Sequence, residues 1–532
     1  MANPSIGDPE RQLLLKNGLI VDGSGKRGES GDLLVKGEKI EAISASSIDI
    51  DCDTIDCTGW VIAPGFIDIH SHMDSIMMLD GYENLKSPFT AQGITTLVTG
   101  NCGYSSLGLQ PDPDKPGDET AVHTMEEYVA YVTKVGLSHN VVTLVGHGTS
   151  QMSIRGMDSS PLEPEEKKVL HRLIEEAMDQ GAAGVSFGLG YEPGIYARKD
   201  EIREIAALAA KREKIVTVHG RAYSGIPASA EKDELPQNVV SLKDNIDLAR
   251  ETGVRLQYSH LMFAGTTSHP TYRQCLDVLD EGIADGVDIM IDTYPYHCGF
   301  TFINVFLPAW FLAGLPGNYH DSASVERVEQ TLSLMGERMG FGFGDIQLMH
   351  INHPDYSHFS GVFLDEAARE LGIAPTRLVV DLSEKTGGTA SILNHNYSNM
   401  EIIDALIRHP ECLFMTDSLV STRGLQNPAS FGAFPLLLQY ARERDLIVLE
   451  EAVRKMTGAS ADRLNLKDRG YLRKGLAADI TIFDWTRVKD NNTIKDTSND
   501  PTGIEYVFIN GRPVKKDGTV DDGIRAGKAI RI

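Results

Sequence analysis

The chain is short of cysteine, of basic charge and of long apolar runs. Six cysteines occur in 532 residues, Cys52, Cys57, Cys102, Cys275, Cys298 and Cys412. They are too sparse and irregular for a disulfide framework, so a reducing cytosol is the expected setting. Lysine and arginine number 50 against 75 aspartates and glutamates, a net charge of −25. Phosphate-rich partners need a basic footprint, and this deficit speaks against nucleic acid and against an anionic membrane surface. No 18 uninterrupted apolar residues occur, which argues against a spanning helix. The opening MANPSIGDPERQ lacks a basic region followed by an apolar one, so no secretory signal is expected.

What is present is ordinary globular material, 41% hydrophobic and 23% charged, enough for a sizeable core. From residue 66 onward, eight short apolar runs alternate with longer amphipathic segments. The runs are 66–72, 94–100, 141–148, 184–189, 214–220, 255–260, 288–296 and 413–418. Between them lie helical patterns such as PEEKKVLHRLIEEAMDQG, which begins at Pro164, carries acids in its first turn and stops at Gly181. Eight strands with crossover helices fit an α/β fold, a (β/α)8 TIM-like barrel spanning 65–464. Residues 1–64 and 465–532 read instead as short strands and turns, and two β-rich ends can pair into a small β-sandwich domain. The long gap before the last run predicts an insertion around 299–355, in which FINVFLPAWFLAGLP reads as a core helix or as a lid over the site.

Ligand-type residues sit at the C-terminal ends of these runs: His70, His72, Cys102, His147, His219, His260, Asp292, Tyr294 and Asp417. A barrel builds its active site at that end. In a strand, i and i+2 share a face, so His70 and His72 can aim two imidazoles at one point, as a metal requires. A lone strand-end histidine such as His147 more often packs in a core, and Asp417 read locally is equally an N-cap.

With these motifs in hand, the chain resembles the amidohydrolase superfamily: an HxH strand after APGFID, later strand-end histidines, an aspartate on the last strand, and a β unit made from both ends. The resemblance runs from NGLIVDGSG to DRGYLRKGLAADITIFD. The fourth run, GVSFGLGYEPG, has no lysine of the kind that many relatives carboxylate to bridge two metals, whereas NCGYS follows the second. That pattern, with HGRAY, YSHLMFAG, DTYPY and MTDS, resembles the N-acyl-D-amino-acid deacylase (D-aminoacylase) group. The resemblance implies Cys102, His219 and His260 as ligands of a tighter Zn²⁺, His70 and His72 as a second, weaker position, and Asp417 as general base and acid. A thiolate with two imidazoles suits zinc and leaves a position open. Tyr191, Arg221, Met262, Tyr294 and Arg423 are the candidates for substrate contact.

The same group grips a substrate carboxylate with a lysine, a serine and an arginine. Here those places read Met262, the stretch Cys298-Gly299-Phe300, and Gln426-Asn427-Pro428-Ala429. Charge-assisted contacts outweigh neutral ones, so their loss weakens recognition of a free acid, although Arg423 offers a register-shifted substitute. The expected activity is therefore metal-dependent hydrolysis of an amide-type C–N bond in a small molecule that is neutral or more apolar. A cyclic amide, carbamoyl compound or lactone is the alternative substrate, and a catalytically silent binding relative is the alternative from another class. Whether the chain forms a homo-oligomer stays open.

Overall fold

The computed structural model describes residues 10–79, 81–110, 123–228 and 234–532. The eight apolar runs become strands: Phe66–Asp68, Ile94–Thr99, Asn140–Thr143 continued by Val145–Gly146, Gly184–Gly188, Ile215–His219, Arg255–Tyr258, Ile289–Thr293 and Cys412–Phe414. Such Val/Ile-rich runs suit strands buried on both faces, and every residue of Ile94–Thr99 and Gly184–Gly188 is buried. Six of the segments, from Val145–Gly146 to Cys412–Phe414, form one parallel sheet in chain order. Phe66–Asp68, Ile94–Thr99 and Asn140–Thr143 form a second parallel sheet, extended by the C-terminal Ala529–Ile530.

Backbone hydrogen bonds connect the two sheets at both ends. Ala183 N donates to Thr143 O at 2.9 Å on one side; on the other, Asp417 N donates to His70 O at 3.0 Å and His72 N to Ser418 O at 2.8 Å. The last pair sets His70, His72 and Asp417 side by side. Helices cover the outside. In Pro164–Asp179 a proline opens the first turn, Glu163 and Glu166 close a reciprocal cap, and Leu170, Ile174, Ala177 and Met178 are buried, the stripe of an amphipathic helix.

Both ends of the chain contribute to a single nine-stranded sheet, joined where Val61–Pro64 pairs antiparallel with Ile480–Phe483. Its apolar contacts include Leu15, Leu33, Ile62, Ile480 and Phe508. Between the seventh and eighth strands lies a three-stranded antiparallel sheet, Gly299–Phe302, Ser391–Asn394 and Ile346–His350, with its own core around Ile303, Phe311, Val328, Leu364 and Ile392. The sequence reading ends the insertion near 355, whereas this sheet draws its middle strand from residues up to 394. Nor does FINVFLPAWFLAGLP form one helix. Pro308, which has no amide hydrogen to donate, separates a turn at Ile303–Phe306 from a short helix at Ala309–Leu312. Among the described residues, no helix is long and apolar enough to cross a membrane.

Candidate metal centre

Five ligand-type side chains and one carboxylate converge at the C-terminal ends of the strands. Cys102 Sγ lies 3.3 Å from His70 Nε2, 3.6 Å from His260 Nε2 and 3.9 Å from His219 Nδ1. His219 Nδ1 is 2.9 Å from His260 Nε2. Asp417 Oδ1 stands 3.3 Å from both His70 Nε2 and His72 Nε2. Two groups of three donors are tight enough to hold an ion, His70 with Cys102 and His260, and His70 with His72 and Asp417. His70 is common to both, which differs from the grouping of Cys102, His219 and His260 that the resemblance implies.

The donor set fits a borderline-soft divalent ion. A thiol and three imidazoles face one another, and thiolate with imidazole is zinc chemistry. The electrostatics agree. Burial alone would raise the Cys102 thiol, but the charge of His70 and hydrogen bonds from His219 and His260 hold it well below its ordinary value. Burial would likewise raise Asp417, yet His260, His72 and His70 pull it down to about 2. His72, disfavoured as a cation by burial, is raised to about 10 by its hydrogen bond with Asp417.

Three of these residues carry backbone strain. Cys102, His260 and Asp417 have φ of 54°, 32° and 50°, the left-handed region that non-glycine residues avoid at a cost of about 1–3 kcal/mol each. Such strain persists only where surrounding bonds over-determine it. At His260 the amide donates to Asp292 Oδ1 at 2.6 Å, while Asp292 Oδ2 accepts from Gln257. At Cys102 the carbonyl accepts from the Tyr191 hydroxyl at 2.8 Å, Asn101 Nδ2 donates to Val98 O, and Gly103 N donates to Ser186 Oγ at 2.9 Å. Beside Asp417, Thr416 N donates to Asp68 Oδ1 at 3.0 Å.

The end of the fourth strand shows why a cysteine from the second can reach the centre. A β carbon on Gly188 would lie 2.2 Å from Cys102 O and 2.6 Å from Tyr191 Cε2. No side chain fits there, lysine included, because the Cys102 turn occupies the space. Gly188→Ala is expected to cost about 1–3 kcal/mol through overpacking and to loosen metal binding by moving Cys102. A melting curve and a zinc titration check this, and a wild-type result in both would contradict it.

The other sequence candidates fall in varied places. His147 is buried in a 2.8 Å pair with Glu201, the core role expected of a lone histidine. Arg221 donates to the carbonyl oxygens of Ile195 and Ala197, which ties it to a turn. Arg423 is exposed, and Gln426 and Asn427 bond to the backbone of their own loop. Asp417 caps no helix; the next begins at Ala429. Met262 and Tyr294 line a cavity beside His260, together with Tyr296, Tyr397 and Ser398. No lysine or arginine is among its described lining residues.

Asp68, Ser186, Tyr223 and Tyr397 were not singled out from sequence. Asp68 had a signal, since it lies two residues before His70 on the same strand face; burial raises it to about 7 against bonds from Thr416 and His70. Tyr223 accepts from Gly220 N and donates to Ser259 O, bracing the turn after His219.

Comparison with known proteins places the chain. A model of the amidohydrolase family matches residues 413–515. D-aminoacylase from Alcaligenes xylosoxydans is 30% identical over 531 residues, 97% of each chain. N-acyl-D-aspartate deacylase from the same organism is 27% identical, with 98% of this chain and 95% of the relative covered. The crystal structure of N-acyl-D-glutamate deacylase from Bordetella bronchiseptica, complexed with zinc and a phosphonate mimic of the tetrahedral intermediate, superposes with a TM-score of 0.81 at 25% identity, covering 98% of this chain and 100% of that one. The chain therefore belongs to the amidohydrolase family and is a homologue of the D-aminoacylases.

Proposed function

We propose that this protein is a zinc-dependent hydrolase that cleaves the amide C–N bond of an N-acyl amino compound whose remote end is uncharged. The convergence of Cys102, His70, His72, His219 and His260 on one point next to Asp417 carries this reading. Relatives named for removing acyl groups from D-amino acids, one of them complexed with zinc, support the reaction class. We read the eight strands as one (β/α)8 barrel over 65–464, with a small β domain formed by 1–64 and 465–532. Cys102, His219 and His260 would hold the tighter ion, and His70 and His72 a weaker one.

Bound there, a divalent ion supplies Lewis acidity, drawing charge from the scissile carbonyl and acidifying a water. The chain's own groups do the rest. Asp417, kept ionised by three neighbouring histidines, takes the proton of the attacking water and delivers it to the departing nitrogen. Asp292 fixes the His260 backbone through its amide and lies 3.6 Å from His70 Nδ1.

The substrate's remote end follows from the cavity. Met262 stands in its lining, no lysine or arginine is among the described lining residues, and Asp417 is nearby. A free carboxylate finds no lysine or arginine among the described residues of that lining, whereas a neutral group loses nothing. Turnover of N-acetyl-D-leucinamide with added Zn²⁺ is expected to exceed that of N-acetyl-D-leucine by at least about tenfold in kcat/KM, the effect of one charge-assisted contact. Preference for the acid would overturn the substrate class; no cleavage of either, in zinc-loaded protein, would overturn the hydrolase reading.

A further inference from the structure

Tyr397 reaches the cavity from the insertion, far in sequence from the metal-binding motifs. Its amide donates to His297 O at 3.0 Å and its carbonyl accepts from Phe263 N at 2.9 Å. These bonds seat the residue between the turn after the sixth strand and the segment after the seventh. Its ring lies over Gly299. A β carbon at 299 would stand 2.2 Å from Tyr397 Cδ2 and 2.5 Å from the Tyr294 hydroxyl oxygen. The room that a side chain at 299 would need is thus filled by two tyrosines. Gly299 falls in the stretch where the resemblance expects a carboxylate-binding serine, and Met262 stands where it expects the lysine. One corner of the site has been rebuilt with a thioether and phenols.

The chemistry of that corner is one-sided. Neither tyrosine hydroxyl has a hydrogen-bond partner among the described residues, and both residues line the cavity. Burial, reinforced by the charge of Asp417, keeps both protonated. A neutral phenol donates one hydrogen bond but brings no positive charge. A carboxylate placed here finds no lysine or arginine among the described lining residues to pair with, whereas a carbonyl oxygen needs only the donated hydrogen bond.

We propose that Tyr397 is a specificity-determining residue that donates its hydroxyl hydrogen to an uncharged carbonyl oxygen on the substrate, remote from the bond that breaks. The ligand class is the primary carboxamide or ester of an N-acyl amino acid. This deepens the hydrolase reading and rests on it for the reaction, but the recognition itself is measurable without turnover.

The test uses the full-length zinc-loaded protein and two kinds of probe. N-acetyl-D-leucinamide and N-acetyl-D-leucine give kcat and KM. N-methanesulfonyl-D-leucinamide and N-methanesulfonyl-D-leucine, which have no scissile carbonyl, give equilibrium binding by calorimetry. Tyr397→Phe keeps the ring over Gly299 and removes only the donor. It is expected to raise KM for the amide and Kd for the carboxamide analogue about tenfold, the size of one hydrogen bond. Its kcat should stay within about twofold, and the acid pair should be unchanged. Met262→Lys, which leaves Tyr397 in place, should tighten the acid analogue about tenfold.

If amide and acid analogues respond alike to Tyr397→Phe, Tyr397 is only structural and the proposal falls. It falls too if the carboxamide analogue does not bind, or binds the variant as it binds wild type. If Tyr397→Phe does not fold, an acid analogue that gains nothing from Met262→Lys overturns the assignment of this corner. If no amide is cleaved while the carboxamide analogue binds and weakens tenfold in the variant, the hydrolase reading fails and the recognition site stands.

Discussion

Asp417→Asn is expected to reduce turnover by about 10²–10⁴-fold, the usual contribution of a positioned acid–base group, while zinc content and melting temperature stay close to wild type. The substitution is nearly isosteric and removes the one property the reaction needs, a carboxylate that can take up a proton and give it back. It preserves much else. The main-chain bond from Asp417 N to His70 O does not involve the side chain, and the side-chain oxygen of asparagine still accepts from His72. The backbone is no obstacle either, because Asp417 sits at φ 50° and asparagine is among the few residues that tolerate that region. A fall in kcat with metal retained therefore reports the proton transfer rather than damage to the fold. Turnover within about threefold of wild type would remove Asp417 from the role and return attention to Asp68 or Asp74, whose carboxyls desolvation raises to about 7 and about 6.

The strand ends are legible in sequence because two regularities coincide there. Short apolar runs mark buried strands, and most of them give way to a polar or ligand-type residue where the backbone leaves the sheet. His70, His219, His260 and Asp417 all stand at such transitions. The register of the site is not legible in the same way. Nothing local announces that Cys102, His260 and Asp417 take positive φ, since none is glycine; the bonds that hold them there come from Asp292, Tyr191 and Asp68, residues remote in the chain or on a neighbouring strand. Arg221 illustrates the same gap. Its place near His219 makes it a candidate for substrate contact in sequence, but its guanidinium answers the carbonyl groups of a turn that only the folded chain brings near. Tyr397 lies in the stretch ILNHNYSNM, outside the eight runs, and the pairing of Gly299–Phe302 with Ser391–Asn394, together with its backbone bonds to His297 and Phe263, brings it to the site.

Removal of the Cys102 thiol is expected to weaken zinc binding by at least about 100-fold, beyond the roughly 10–100-fold that loss of an outer hydrogen-bond partner brings, and to abolish zinc-dependent turnover at stoichiometric metal. The sulfur is central to the arrangement: it stands within 3.9 Å of three imidazole nitrogens, and it supplies the one thiolate in the donor set. Without it the remaining donors are imidazoles and a carboxylate, a harder set that favours zinc less strongly over competing ions. Alanine is a poor probe, because a β carbon at φ 54° keeps the strain that the native bonds support. Cys102→Gly removes the thiol and relieves that strain together, so its melting temperature without metal should hold or rise while its zinc affinity falls. Cys102→Ser keeps a small donor and should lie between, since a neutral hydroxyl binds zinc far less well than a thiolate. Competitive titration against a chelating dye gives the affinities, and metal analysis after dialysis gives the stoichiometry. Wild-type zinc affinity in Cys102→Gly would show that the histidines and Asp417 hold the ion alone, and would leave Cys102 as a buried thiol that packs against the fourth strand.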